Sequence, residues 1–269
     1  MNPVDYIKRC NSQLIGIDID IEYDIEEYNK IIGNTTYDFV ISIGDSCNTA
    51  DIIMHMGYRY RSFPFDYIKI TPNIVYDLFV NDFEDYSQKE IPTSFRNTNW
   101  MNYYTIWPLE FSKFLISKYG LLFTHYPRGT NINSKDGAIK LFNKRIRRLK
   151  NILNDESLNI LLVYIPMHSL YFKENRLKQT EFYNYIIKTY DFLKNNYKSN
   201  IKILSFSMNQ NYKSYDNAVY NINYKLDSKY YDPPKDEYHL GQKDIIKCIF
   251  NFLVGKLNVN KNKIEDVHY

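Results

Sequence analysis

The sequence predicts a single α/β domain in three layers, with a mostly parallel sheet between two layers of helices. Three observations predict it. The apolar runs "DFVISIG" and "NILLVYIP" are nearly continuous, as in strands covered on both faces. Stretches with helical apolar spacing stand between such runs. The connections are long enough for the crossovers that parallel strands need. With 269 residues the chain suits one large core, and no internal repeat or low-complexity linker divides it.

The elements follow in order. Residues 1–36 are acidic and tyrosine-rich, and "GIDIDIEY" alternates at period two, so this part is an N-terminal extension or edge strand. The main domain spans 37–257 and a tail 258–269. "YDFVISIG" is a buried strand, followed by a helix over Thr49–Met56 that Gly57 stops. A Pro-containing loop leads to a helix starting near Pro72, where a first-turn proline loses no hydrogen bond. Residues 88–108 read as a loop, 108–119 as a helix and "LLFTHY" as a strand. Over 135–154, Ile139, Phe142, Ile146, Leu149 and Leu153 share one helix face. "LNILLVYIP" is the clearest strand. "KQTEFYNYIIKTYDFLKNNY" is a helix, "IKILSFSM" a strand, "AVYNINYKL" the last strand and "HLGQKDIIKCIFNFLVGKL" a C-terminal helix. A papain-like α+β arrangement is the alternative fold.

Composition bounds the function. Hydrophobic residues at 44% and charged residues at 24% are ordinary for a globular protein, and a net charge of +3 is too weak to argue for nucleic acid. Tyrosine occurs 27 times, while alanine stands only at 50, 138 and 218, the bias of an A/T-rich genome such as that of a large DNA virus. Three cysteines, Cys10, Cys47 and Cys248, argue for a reducing compartment over a disulfide framework. No secretory h-region opens the chain, and no apolar run approaches the ~20 residues that span a bilayer. A cytoplasmic protein is the expectation, with neither membrane nor nucleic acid as partner. The basic stretch "KRIRRLKN" fits a solvated helix face. No cofactor is expected: no Cys/His cluster has zinc spacing, and "GDSCNTA" lacks the Lys-Ser/Thr of a phosphate loop.

In open α/β sheets ligands bind beyond the carboxyl ends of the strands. After the first strong strand come Asp45, Ser46, Cys47 and Asn48. His125, His168 and His239 stand at or near later strand ends. Cys47 falls at the start of a helix, where the dipole and free N–H groups favour a thiolate and can hold an oxyanion. A histidine from a neighbouring strand end would serve as base. Cys10 and Cys248 read as structural. Asp51 and His55, one turn apart, can pair locally. His55 and His268 are not expected at the turn.

"FVISIGDSCNTADIIMHMGYRYRSFPFDY" resembles the opening of a family known as putative papain-like cysteine peptidases. The matching residues are Gly44, Cys47, Gly57, Arg59, Pro64, Phe65, Asp66 and Tyr67. Phe123 and His125, then Arg145 and Arg148 on the basic helix, match later segments. The resemblance implies a hydrolase with Cys47 as nucleophile and His125 as base. Where the family usually has Asp after that histidine, Tyr126 stands here, which leaves the orienting acid unassigned. Asp45, Asn48, Arg59 and Asp66 are the candidate substrate-binding residues, although "RSFPFDY" also reads as a packed aromatic turn. Gly44-Asp45-Ser46 together with Asp236-x-x-His239 is similar to SGNH (GDSL-type) esterases, which implies Ser46 as nucleophile with Asp236 and His239 behind it. In those enzymes a Gly-x-Asn-Asp block supplies oxyanion donors, and none is visible here. A helix cap explains Asp236 and His239 equally well. A non-catalytic α/β interaction protein is the reading from another class. The substrate, whether peptide, acyl ester or glycan-linked, is not legible.

Overall fold

The computed structural model describes residues 19–22, 24–44, 47–66, 68, 70–84, 135–166, 179–208, 211–226 and 257–260. At 19–20, 47–48, 135–139, 179–180, 208 and 226 it describes the backbone only. The expected helices over 108–119 and 239–257, the "LLFTHY" strand, and Cys10 and Cys248 lie outside the described residues.

Five strands form the main sheet: β1 (Ile19–Glu22), β3 (Phe39–Ser42), β4 (Asn159–Tyr164), β5 (Asn200–Met208) and β6 (Val219–Leu226), in the order β1-β6-β5-β4-β3. Strands β3 to β6 are parallel, and β1 is antiparallel to β6 at the far edge. The fold is therefore α/β with a mostly parallel sheet, as the continuous apolar runs require. A small second pairing joins β2 (Thr36–Tyr37) to β7 (Asn258–Val259) in parallel. The first residues of the expected C-terminal tail thus return to the start of the main domain.

The helices are α1 (Ile25–Tyr28), continued by a π-helical turn over Asn29–Gly33, then α2 (Cys47–His55), α3 (Pro72–Val80), α4 (Lys135–Leu153) and α5 (Gln179–Asn196). Each has a local cause. Asp24 caps α1 by accepting from the backbone N–H groups of Glu26 and Glu27 at 2.9 and 3.0 Å. Pro72 opens α3 at its first turn. In α4, Phe142, Ile146, Leu149 and Leu153 are buried at spacings of three and four.

Successive neighbours β3, β4, β5 and β6 step one way across the sheet. Right-handed crossovers therefore bring α4 and α5 to the same face. On that face Ile41, Ile160, Leu162 and Ile203 pack with Val75 and Phe79 of α3, Leu149 of α4, and Ile186 and Leu193 of α5. On the other face Val40, Leu161, Val163 and Phe206 pack with Ile31 and Ile32 of the π-turn and Ile52 and Ile53 of α2. The result is three layers.

Among the described strands β3 stands at the end of the order and pairs with β4. Its four residues are nonetheless all buried, because helices and the 63–70 segment cover it. Asn221 and Asn223 are buried. Ser207 donates to Asn221 at 2.8 Å and Asn221 to Asn223 at 2.7 Å. Asn223 then accepts from the Tyr212 N–H and donates to its carbonyl, both at 3.0 Å, which fixes the β5–β6 connection.

Candidate active site

The site starts where β3 ends. The Ile43 N–H donates to the Val163 carbonyl at 3.0 Å and carries the ladder one residue past Ser42. Gly44 then turns the chain at φ +109°. Only glycine holds that backbone without strain, and close approach adds a second constraint. A Cβ placed there would lie 2.3 Å from Ile70 Cγ2 and 3.0 Å from the Ile70 carbonyl oxygen. Gly44→Ala is therefore expected to destabilise the fold by about 2 kcal/mol or more, read as a drop in the urea midpoint at unchanged slope.

The backbone re-enters regular structure at Cys47, the first residue of the nine-residue α2. The N–H groups of a first helical turn have no partner within the helix and aim beyond its start, toward the carboxyl edge of the sheet. Thr49 fixes the turn. It is fully buried, and its hydroxyl donates to the Gly44 carbonyl at 2.7 Å, with the Ile165 carbonyl beyond β4 at 3.4 Å. One side chain thus ties the helix start to the ends of two neighbouring strands. Sequence reasoning passed over Thr49. Its signal was a hydroxyl residue in the first turn of a helix that follows a glycine turn.

At the other end of α2, Gly57 adopts φ +71° and stops the helix. The exposed ring of His55 lies with Nδ1 2.7 Å from the Asp51 carbonyl oxygen, so the local contact expected between these residues runs to the backbone. At 1.5 Å per residue His55 is roughly 12 Å along the axis from Cys47.

The segment after α2 forms the wall beside Gly44. Phe63 and Phe65 are buried, the aromatic turn foreseen for "RSFPFDY". At its centre Asp66 is fully buried. Its Oδ2 accepts from Arg59 Nε at 3.0 Å, from Arg59 Nη2 at 2.8 Å and from the Phe63 N–H at 2.7 Å. Its Oδ1 has no hydrogen-bond partner among the described residues. Burial raises the Asp66 carboxyl above its ordinary range, and the Arg59 guanidinium works against that rise. Arg59 Nη2 also donates to Ser62 Oγ at 3.0 Å, and Arg148 Nη1 donates to the Ser62 carbonyl at 2.7 Å. This network ties α4 to the loop that presses Ile70 against Gly44. Arg145, buried on α4, adds positive charge near Asp66.

The other sequence candidates are placed as follows. Cys47 and Asn48 open α2, and Arg59 and Asp66 bind each other. Asp45, Ser46, His125, His168, Asp236 and His239 lie outside the described residues. Among the described residues no group of His, Cys, Asp and Glu could hold a metal ion, and no helix is long and apolar enough to cross a membrane.

Residues 38–185, just over half of the chain, match the family described as "Putative papain-like cysteine peptidase (DUF1796)". The chain belongs to that family. The family match takes in β3, Gly44, Cys47, Arg59, Asp66, His125, α4 and β4, and ends within α5. Asp236 and His239 lie beyond it, and the esterase resemblance gains no support from it. No curated protein and no solved structure matches the chain.

Proposed function

We propose that the protein is a cysteine hydrolase of the peptidase type, with Cys47 as the nucleophile. The observation that carries this reading is the position of Cys47, first in a helix directly beyond a parallel strand, in a chain whose family carries the cysteine peptidase description. The helix start lowers the cost of a thiolate there, because the macrodipole and unpaired N–H groups favour negative charge. The same N–H groups suit the oxyanion of a tetrahedral intermediate.

The chemistry follows in balanced steps. A base takes the thiol proton, and His125 is the residue the family resemblance assigns to that role. The thiolate attacks the acyl carbon and the carbonyl π electrons move onto oxygen. Collapse expels an amine or alcohol, which leaves with the proton from the imidazolium. Water then attacks the thioester, releases the acid and restores the thiol. Thr49 and the Arg59–Asp66 latch act earlier, by holding the start of α2 and the wall beside Gly44 in place.

A panel of fluorogenic peptide and p-nitrophenyl ester substrates, assayed with the full chain and with Cys47→Ala, tests the reading. Turnover that disappears in the variant supports it. Equal turnover in both proteins would end it.

A further inference from the structure

We propose that the outer face of α4 is a docking surface for a nucleic-acid strand, held through its phosphates. Sequence alone reads this stretch as a solvated face, and three structural observations change that reading. First, the face is unbalanced. From Lys140 to its end at Leu153 the helix has six basic and no acidic residues. A solvated helix face normally intersperses acids at i+4, whereas Lys140, Lys144 and Arg148 repeat like charge at that spacing. Lys140, Lys144 and Arg147 are exposed and form no ion pair with any described residue.

Second, the exposed side chains of this face leave a shallow hollow between them. Lys140, Asn143, Lys144, Arg147, Arg148 and Asn151 line an open groove of about 410 Å³. Every lining residue presents a cation or an amide, and none is apolar. Protein partners anchor through aromatic or branched apolar side chains, and none lines this groove, whose apolar surface is the stems of its charged residues. A polyanion needs only charge and hydrogen-bond donors, and the groove supplies both.

Third, the positive charge deepens at one end. Arg148 sits beside Arg61 and Arg145, and burial and these two neighbours lower its proton affinity. The nearby carboxylate, Asp66, is engaged by Arg59. The half-buried Arg148 extends the exposed row with a guanidinium, and Arg145 adds its charge from the buried side of the helix.

The test uses the full chain and a fluorescein-labelled thymidine oligonucleotide of about 20 nucleotides, followed by anisotropy from ~50 to ~200 mM salt. Four phosphate contacts predict that log K falls with log salt at a slope of about −3 for a single strand. Lys144→Glu with Arg147→Glu should weaken binding at least about tenfold and flatten the slope. The neutral pair Lys144→Gln with Arg147→Gln should do so less steeply, and gives a second reading if the reversal disturbs folding. Lys30→Glu, exposed on the π-turn across the sheet, should leave binding unchanged. Absence of binding at ~50 mM salt would overturn the proposal. So would an affinity and slope indifferent to both double variants. Displacement of the strand by polyglutamate of equal charge as readily as by unlabelled strand would reassign the surface to an acidic protein.

Discussion

Cys47→Ala is expected to lower kcat/KM by about a thousandfold or more on any substrate the protein hydrolyses, a loss of about 4 kcal/mol of transition-state stabilisation. Ser46→Ala should keep most of the activity. The asymmetry separates a thiol mechanism from a seryl one, because the two side chains are adjacent in sequence and only one would carry the acyl group. A stable fold in both variants, checked by circular dichroism, makes the comparison one of chemistry. If Ser46→Ala were the inactive variant, the nucleophile would be the hydroxyl and the cysteine reading would fail.

The second large effect is on stability. Asp66→Asn keeps the shape of the side chain and removes its charge, leaving the Arg59 guanidinium enclosed without its counterion. Breaking a buried pair in this way costs about 3–5 kcal/mol, a large part of the ~5–15 kcal/mol that holds a domain folded. Because burial outweighs the pull of Arg59 on this carboxyl, the pair itself is an expensive arrangement. The combined change Arg59→Met with Asp66→Leu should therefore recover most of the loss. Urea unfolding of the single and double variants measures both quantities. A loss below ~1 kcal/mol for Asp66→Asn would show that the latch is not what secures the 59–70 loop.

Much of this architecture was legible because burial writes itself into sequence. β4 and β5 are runs of apolar residues that no solvated strand could contain, and α4 and α5 repeat apolar residues at helical spacing. The turn at Gly44 was legible too, since a glycine between an apolar run and a helical pattern marks a strand-to-helix junction. What stayed hidden depends on distant parts of the chain. The two-residue pairing of Thr36 and Tyr37 with Asn258 and Val259 has no local signature. An apolar run reports cover on its faces and says nothing of which strands lie at its edges, so the order of the strands is not legible either. Nor does a polar residue in a strand reveal that its partner is a loop carbonyl, as it is for Asn223. The pairing of Arg59 with Asp66 became visible only once the aromatic turn between them was closed.

The most direct measurement of the central claim is the pH dependence of iodoacetamide alkylation, resolved residue by residue by peptide mapping. The thiolate is the reacting form, so the midpoint for each cysteine reports its proton affinity. Cys47 is expected to react first and with a midpoint clearly below the ordinary thiol value of ~8.5, and Thr49→Val is expected to move this midpoint upward. A Cys47 midpoint at or above ~8.5, or labelling of Cys10 or Cys248 ahead of it, would contradict a poised thiolate at the start of α2.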